Sequence, residues 1–141
     1  MPPKTKVVPD SNVYIAAALN KSYSYDWLFG ASEPQATYEL YTSEAIFTEI
    51  SGKLAEKFHF ERAAIAGFLT DLDGVVHKVR PTTEIKAVRD PKDNMILECA
   101  VEANAALIIT FDKDLLSLKK YQNIQIAHPS MVKYWFPKNV G

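Results

Sequence analysis

Strand-like and helix-like segments alternate over 141 residues and predict an α/β fold: a three-layer α/β/α sandwich with a mostly parallel central sheet. Three observations carry this. Short runs of strand formers are separated by segments of helical periodicity. No repeat, low-complexity stretch or linker divides the chain, and its length fits one core, so a single domain over residues 1–141 is expected. Finally, Asp10, Glu49, Asp93 and Asp112 each fall at or near a junction between elements, where open parallel sheets bind ligands.

Val7-Val8 opens a strand whose apolar neighbours mark it as central. Val13 to Leu19 follows as a buried helix, rich in alanine and apolar on most faces. Lys21 to Tyr25 is polar and predicted as loop; Tyr25 to Phe29 is a short helix stopped by Gly30. Tyr38 to Thr42 alternates and is rich in strand formers. Ser43 then suits the N-cap of a helix with Ile46, Phe47, Ile50, Leu54 and Phe58 on one stripe. Glu61 to Leu72 repeats the helical pattern, and Val75 to Val79 is a third strand. Asp90-Pro91-Lys92-Asp93 starts another helix, with a capping acid, a proline in the first turn and a second acid there. Met95, Ile96, Cys99, Ala100 and Ala103 form its apolar face. The strand Ala106 to Thr110, a brief helix from Asp112, a last strand at Ile124 to Ile126 and a closing helix from Pro129 to Phe136 complete the chain.

Apolar residues at 48% and charged residues at 23% argue against disorder. No apolar run approaches a membrane span and no signal-peptide hydrophobic region precedes the first strand, so a cytoplasmic location without a membrane partner is expected. Cys99 is the only cysteine, which excludes an internal disulfide, and its apolar helical neighbours suit a buried structural thiol. A net charge of −1 gives no global attraction to nucleic acid. Basic residues do cluster locally, at Lys78, Arg80, Lys86, Arg89 and Lys92 and again at Lys113, Lys119 and Lys120.

Taken singly, each acid has a structural role open to it. Asp112 can cap a helix, Asp93 can face a helix dipole, Glu49 can be solvated and Asp10 can shape a turn. Capping does not explain why Asp10 and Asp112 both follow very apolar strands, where desolvation is costly without compensation. Carboxylates that meet in one cleft repel one another unless a hard cation holds them, which suggests one or two Mg²⁺ or Mn²⁺ ions and phosphate chemistry. Ser11, Asn12 and Thr110 are placed to orient the acids through hydrogen bonds. The chain lacks a phosphate-binding glycine loop, a nucleophile elbow and any histidine pair at zinc spacing; His59, His77 and His128 are isolated.

These same residues carry a family resemblance that covers nearly the whole chain. Val8-Pro9-Asp10-Ser11-Asn12-Val13 resembles the opening strand and Asp-Ser/Thr-Asn of the PIN-domain family, and Phe47-Thr48-Glu49-Ile50 its glutamate-bearing helix. Arg89-Asp90-Pro91-Lys92-Asp93-Asn94 and Leu107 to Leu116 are close to the pattern of the prokaryotic branch assigned as toxins of toxin–antitoxin systems, and His128-Pro129 falls where that branch often has Thr-Pro. The resemblance implies a metal-dependent ribonuclease acting on single-stranded RNA, with an antitoxin partner and a homodimer. Asp10, Glu49, Asp93 and Asp112 become the metal-binding catalytic acids, and Asp114 a further metal-side acid. Lys92 and Asn94 replace residues that are often acidic, and Phe111 stands where glycine is common, so its ring would narrow the cleft or stack on a base.

Arg89, Lys92 and Lys113 flank the acids and are expected to hold backbone phosphates. Tyr134, Trp135 and Phe136 could serve a dimer or antitoxin interface if exposed, and core packing explains them at least as well. Two other classes remain open. A haloacid-dehalogenase-like phosphatase or phosphotransferase would use Asp10 as nucleophile, but its pattern wants a second Asp where Asn12 stands. A non-catalytic RNA-binding module would keep the fold and bind RNA without cleavage.

Overall fold

The structure, a computed structural model, describes residues 3–20 and 23–137. The elements run β1 (Thr5–Pro9), α1 (Ser11–Leu19), α2 (Tyr23–Gly30), β2 (Tyr38–Thr42), α3 (Glu44–Glu56), α4 (Arg62–Asp73), β3 (Val76–Lys78) and α5 (Pro91–Ala103). Then follow β4 (Leu107–Ile109), α6 (Lys113–Leu118), β5 (Lys120–Tyr121), β6 (Ile124–Ala127), a 3-10 turn (Pro129–Met131) and α7 (Val132–Trp135).

The six strands are ordered β3-β2-β1-β4-β6-β5, and every neighbouring pair is parallel except β5 with β6. The chain leaves β1 towards β2 and β3, then returns to lay β4 on the other side of β1. Parallel crossovers are right-handed as a rule, so connections running in opposite directions along the sheet put helices on both faces, giving the three layers. The reversal between β1 and β4 also opens a crevice at their carboxyl ends.

Burial explains why these strands are central. Val7, Val8, Leu107, Ile108 and Ile109 are all fully buried, and each such aliphatic side chain stabilises the fold by roughly 1.5–3 kcal/mol relative to exposure. Caps set the helix starts beside them. Ser43 accepts the Ile46 N–H at 3.4 Å, and Asp90 accepts the Lys92 N–H at 2.9 Å with Pro91 in the first turn of α5. Cys99 is buried, and burial pushes its thiol up to about 12, as a structural thiol requires.

Several boundaries differ from the sequence reading. The predicted loop ends early: α2 begins at Tyr23, its helix supported by the contact of Tyr25 with Phe29 at 4.5 Å, while Lys21 and Ser22 lie outside the described residues. Phe58 sits past the end of α3, although it still packs on the core. The closing helix is two windings, because a His128-capped 3-10 turn precedes α7. Strand β5 was not foreseen. It pairs with β6 through Gln122-Asn123, with Lys119 and Gln122 at positive φ and no glycine to signal the turn. The C-terminal aromatics divide between their two readings: Phe136 is core, packed against Tyr38 at 4.7 Å and Trp27 at 6.2 Å, whereas Tyr134 and Trp135 are exposed. Among the described residues, no helix is long and apolar enough to cross a membrane.

Candidate active site

Asp10 leaves β1 at the crevice. Its N–H continues the ladder by donating to the Ile109 carbonyl at 2.8 Å, so the two central strands set its position. It is the N-cap residue of α1, yet its side chain makes no capping bond. The carboxylate instead accepts Thr110 Oγ1 at 2.7 Å on Oδ2 and Ser11 Oγ at 3.2 Å on Oδ1. All three residues are buried, and burial raises the Asp10 pKa while the Thr110 and Ser11 hydroxyls oppose the rise. Glu49 lies close enough to raise it further.

Thr110 also accepts the Asp112 N–H at 3.0 Å, so one hydroxyl ties the acids that follow β1 and β4. Asp112 does cap α6, with Oδ1 accepting the N–H groups of Asp114 at 2.8 Å and Leu115 at 3.1 Å. The capping role and the site role therefore coexist in one side chain. Asp93, in the first turn of α5, is buried and meets Asp112 across the crevice. Burial, then the negative charges of Asp112, Asp90 and Asp10, push its pKa from 3.8 to about 7, and it shares a hydrogen bond with Asp112. Asp93, Asp112 and Asp114 each present an oxygen within 4.8 Å of the others.

This donor set is all carboxylate oxygen, which suits a hard divalent cation such as Mg²⁺ or Mn²⁺, whose oxygen ligands stand about 2.0–2.2 Å from the metal. The strongly raised Asp93 is the electrostatic sign of the same fit: without a cation, the group lowers its charge by keeping a proton. Glu49 stands apart from these three. Its Oε1 is 2.9 Å from the Lys53 ammonium, which also donates to Asn12 Oδ1 at 3.1 Å.

Sequence comparison decides the family. The PIN domain profile matches residues 6–114, a span that holds Asp10, Glu49, Asp93, Asp112 and Asp114. The chain belongs to the PIN-domain family. A relative of Methanocaldococcus jannaschii, the uncharacterized protein MJ1680, is 34% identical over 136 residues, spanning 89% of this chain and 84% of that protein. Among solved structures, VapBC2 of Rickettsia felis bound to a DNA fragment from its promoter is similar with a TM-score of 0.62 at 11% identity, over 88% of this chain and 98% of that one. VapC20 of Mycobacterium tuberculosis, a sarcin-ricin-loop-cleaving toxin, is similar with a TM-score of 0.55 at 17% identity, over 84% and 98%. At these identities the two structures show that the fold is shared.

The remaining residues of this PIN domain divide into rim and support. Arg89, Lys92 and Lys113 are exposed, at the entry to α5 and the start of α6, next in sequence to the acids. Phe111 lies between Thr110 and Asp112, is 40% exposed and meets His128 edge-on at 5.2 Å. Asn94 does more than lower the charge beside Asp93. Its Oδ1 accepts the N–H groups of Ala87 and Val88 at 3.1 and 3.0 Å, and its amide donates to the Val88 carbonyl at 2.9 Å. Glu98 accepts the Ile85 N–H and Glu102 that of Thr82, so one face of α5 pins the loop that leads to Arg89. Lys53 and this clamp were not foreseen from sequence. The Glu49–Lys53 spacing of four residues signals an ion pair, but not the reach to Asn12.

Proposed function

We propose that this PIN domain is a Mg²⁺- or Mn²⁺-dependent endoribonuclease that hydrolyses phosphodiester bonds of single-stranded RNA, acting in the cytoplasm as the toxin of a toxin–antitoxin pair. The observation that carries the reading is the gathering of Asp93, Asp112 and Asp114 within 4.8 Å, joined to Asp10 through Thr110. Asp10, Asp93, Asp112 and Asp114 would hold the ion. When bound, such an ion supplies Lewis-acid polarisation of the phosphodiester and a lowered pKa for water.

The chain's own groups do the rest. Thr110 and Ser11 fix the Asp10 oxygens, and the backbone N–H groups that open α6 fix Asp112, so the acids need not rearrange on binding. Arg89, Lys92 and Lys113 flank the crevice and hold backbone phosphates, which offsets a neutral-to-acidic surface. The exposed ring of Phe111 offers a face on which an unpaired base can stack, a contact that favours single strands. The sarcin-ricin-loop cleavage by VapC20 supports the substrate class, and the likeness to VapBC2 supports an antitoxin partner for this chain. Exposed Tyr134 and Trp135 offer aromatic surface for a homodimer contact.

The test is cleavage of an end-labelled single-stranded RNA by purified protein with Mn²⁺, Mg²⁺ or EDTA, with Asp93→Asn purified in parallel. The wild type cleaves only with metal, and Asp93→Asn loses about 10²-fold or more, since each 1.36 kcal/mol of lost transition-state stabilisation is tenfold in rate. Equal cleavage by both proteins would sink the assignment. RNA bound but left intact, with or without metal, would favour a non-catalytic module.

A further inference from the structure

Lys53 is the cation already present at this site. Its ammonium stands 2.9 Å from Glu49 Oε1 and 3.1 Å from Asn12 Oδ1. This is not a solvated pair along one helix: the Glu49 side chain is 9% exposed and that of Lys53 29%, and the contact to Asn12 crosses from α3 to the first turn of α1. The acidic site thus has two halves. On one side, Asp93, Asp112 and Asp114 gather their oxygens without Glu49 and, among the described residues, without a basic side chain hydrogen-bonded to them. On the other, a carboxylate and an amide oxygen are both engaged by one ammonium.

Resting on the metal-site reading above, we propose that Lys53 takes the place of a second metal ion. The site binds a single divalent cation, among Asp10, Asp93, Asp112 and Asp114, and Lys53 is a positioning residue that keeps Glu49 and Asn12 out of the ligand set. Two-metal sites hold their ions about 3.5–4 Å apart between shared carboxylates. A second dication bound by Glu49 would share that carboxylate with the Lys53 ammonium and be repelled by its positive charge. Lys53 and the single ion together then offset much of the negative charge of the acidic cluster, with a compact ammonium in the second position.

Counting bound Mn²⁺ by titration calorimetry and by electron paramagnetic resonance on the full chain tests this without an activity readout. Wild type and Lys53→Arg bind one ion, and Lys53→Met, checked for fold by circular dichroism, binds a second. Two ions on the wild type, or one on a folded Lys53→Met, overturns the inference. Should Lys53→Met fail to fold, the affinity for the first ion decides. Asp112→Asn lowers it by about tenfold or more, and Glu49→Gln far less. Equal losses from both substitutions overturn the inference as well. A wild type that binds no Mn²⁺ defeats the metal-site reading itself, an outcome distinct from binding two.

Discussion

Asp10 and Asp93 are both buried carboxylates in the same crevice, 5% and 7% exposed, yet they are held in opposite ways. Asp10 faces two hydroxyl donors, Thr110 and Ser11, which offset part of its desolvation. Asp93 is raised first by burial and then by the acids it faces, and its pKa reaches about 7. Burial is the leading cause of the rise in both; hydroxyl donors oppose it at Asp10, while neighbouring acids add to it at Asp93. The carboxylate at the end of β1 is fixed in advance by hydroxyl donors, while the one at the start of α5 faces repulsion of the kind a cation relieves.

The comparison is sharpened most by adding the cation. Mn²⁺ at about 100 times its Kd stabilises the wild type by roughly 2.7 kcal/mol, visible as a higher Tm that EDTA reverses. The same addition to Asp93→Asn gives little shift. A shift of equal size in both proteins would show that Asp93 is not part of the ion's environment.

A smaller effect breaks the Asp10 side. Thr110→Val removes the donor to the buried Asp10 carboxylate and the acceptor of the half-buried Asp112 N–H. Denaturant unfolding is expected to show a loss of about 1–3 kcal/mol. No loss would mean that the hydroxyl is not what holds Asp10.

The smallest effect concerns pH. Asp93 keeps its proton in the folded protein up to about pH 7, while the unfolded chain loses it near 3.8. Below that lower value the group contributes nothing to the pH dependence. Between the two values the metal-free fold loses stability as pH rises, and above about 7 the full penalty remains. Asp93→Asn has no such proton to lose. In EDTA at pH 8 it is expected to be more stable than the wild type, on the order of 1–2 kcal/mol, and near parity at pH 4. A wild type that is the more stable of the two at pH 8 would contradict the repulsion.

Much of this was legible in the residues. The β-rich runs, the Ser43 and Asp90 caps and the acids after apolar strands carry local signals, and the sheet and the Asp10, Asp93 and Asp112 convergence follow from them. What stayed hidden depends on side chains reaching across the fold. Asn94 binds a loop residue six positions back, where no periodicity exists, and Lys53 meets a residue 41 positions away. Strand β5 escaped notice because Lys119 and Gln122, not glycines, take the left-handed conformations beside it. That Phe136 is the core member of the three C-terminal aromatics was not legible because its partners, Trp27 and Tyr38, lie a hundred or so residues earlier.

The pairing of β1 with β4 has a consequence for synthesis. Thr110 and Asp10 are 100 positions apart, and β4 is the strand that brings them together. A growing chain that has made α1 to α5 therefore carries Asp10, Glu49 and Asp93 without the residues that complete the cluster. Closing so long a loop is slow and happens late. A nuclease of the kind proposed is thereby harmless to the message that encodes it until β4 and the turn after it have been translated.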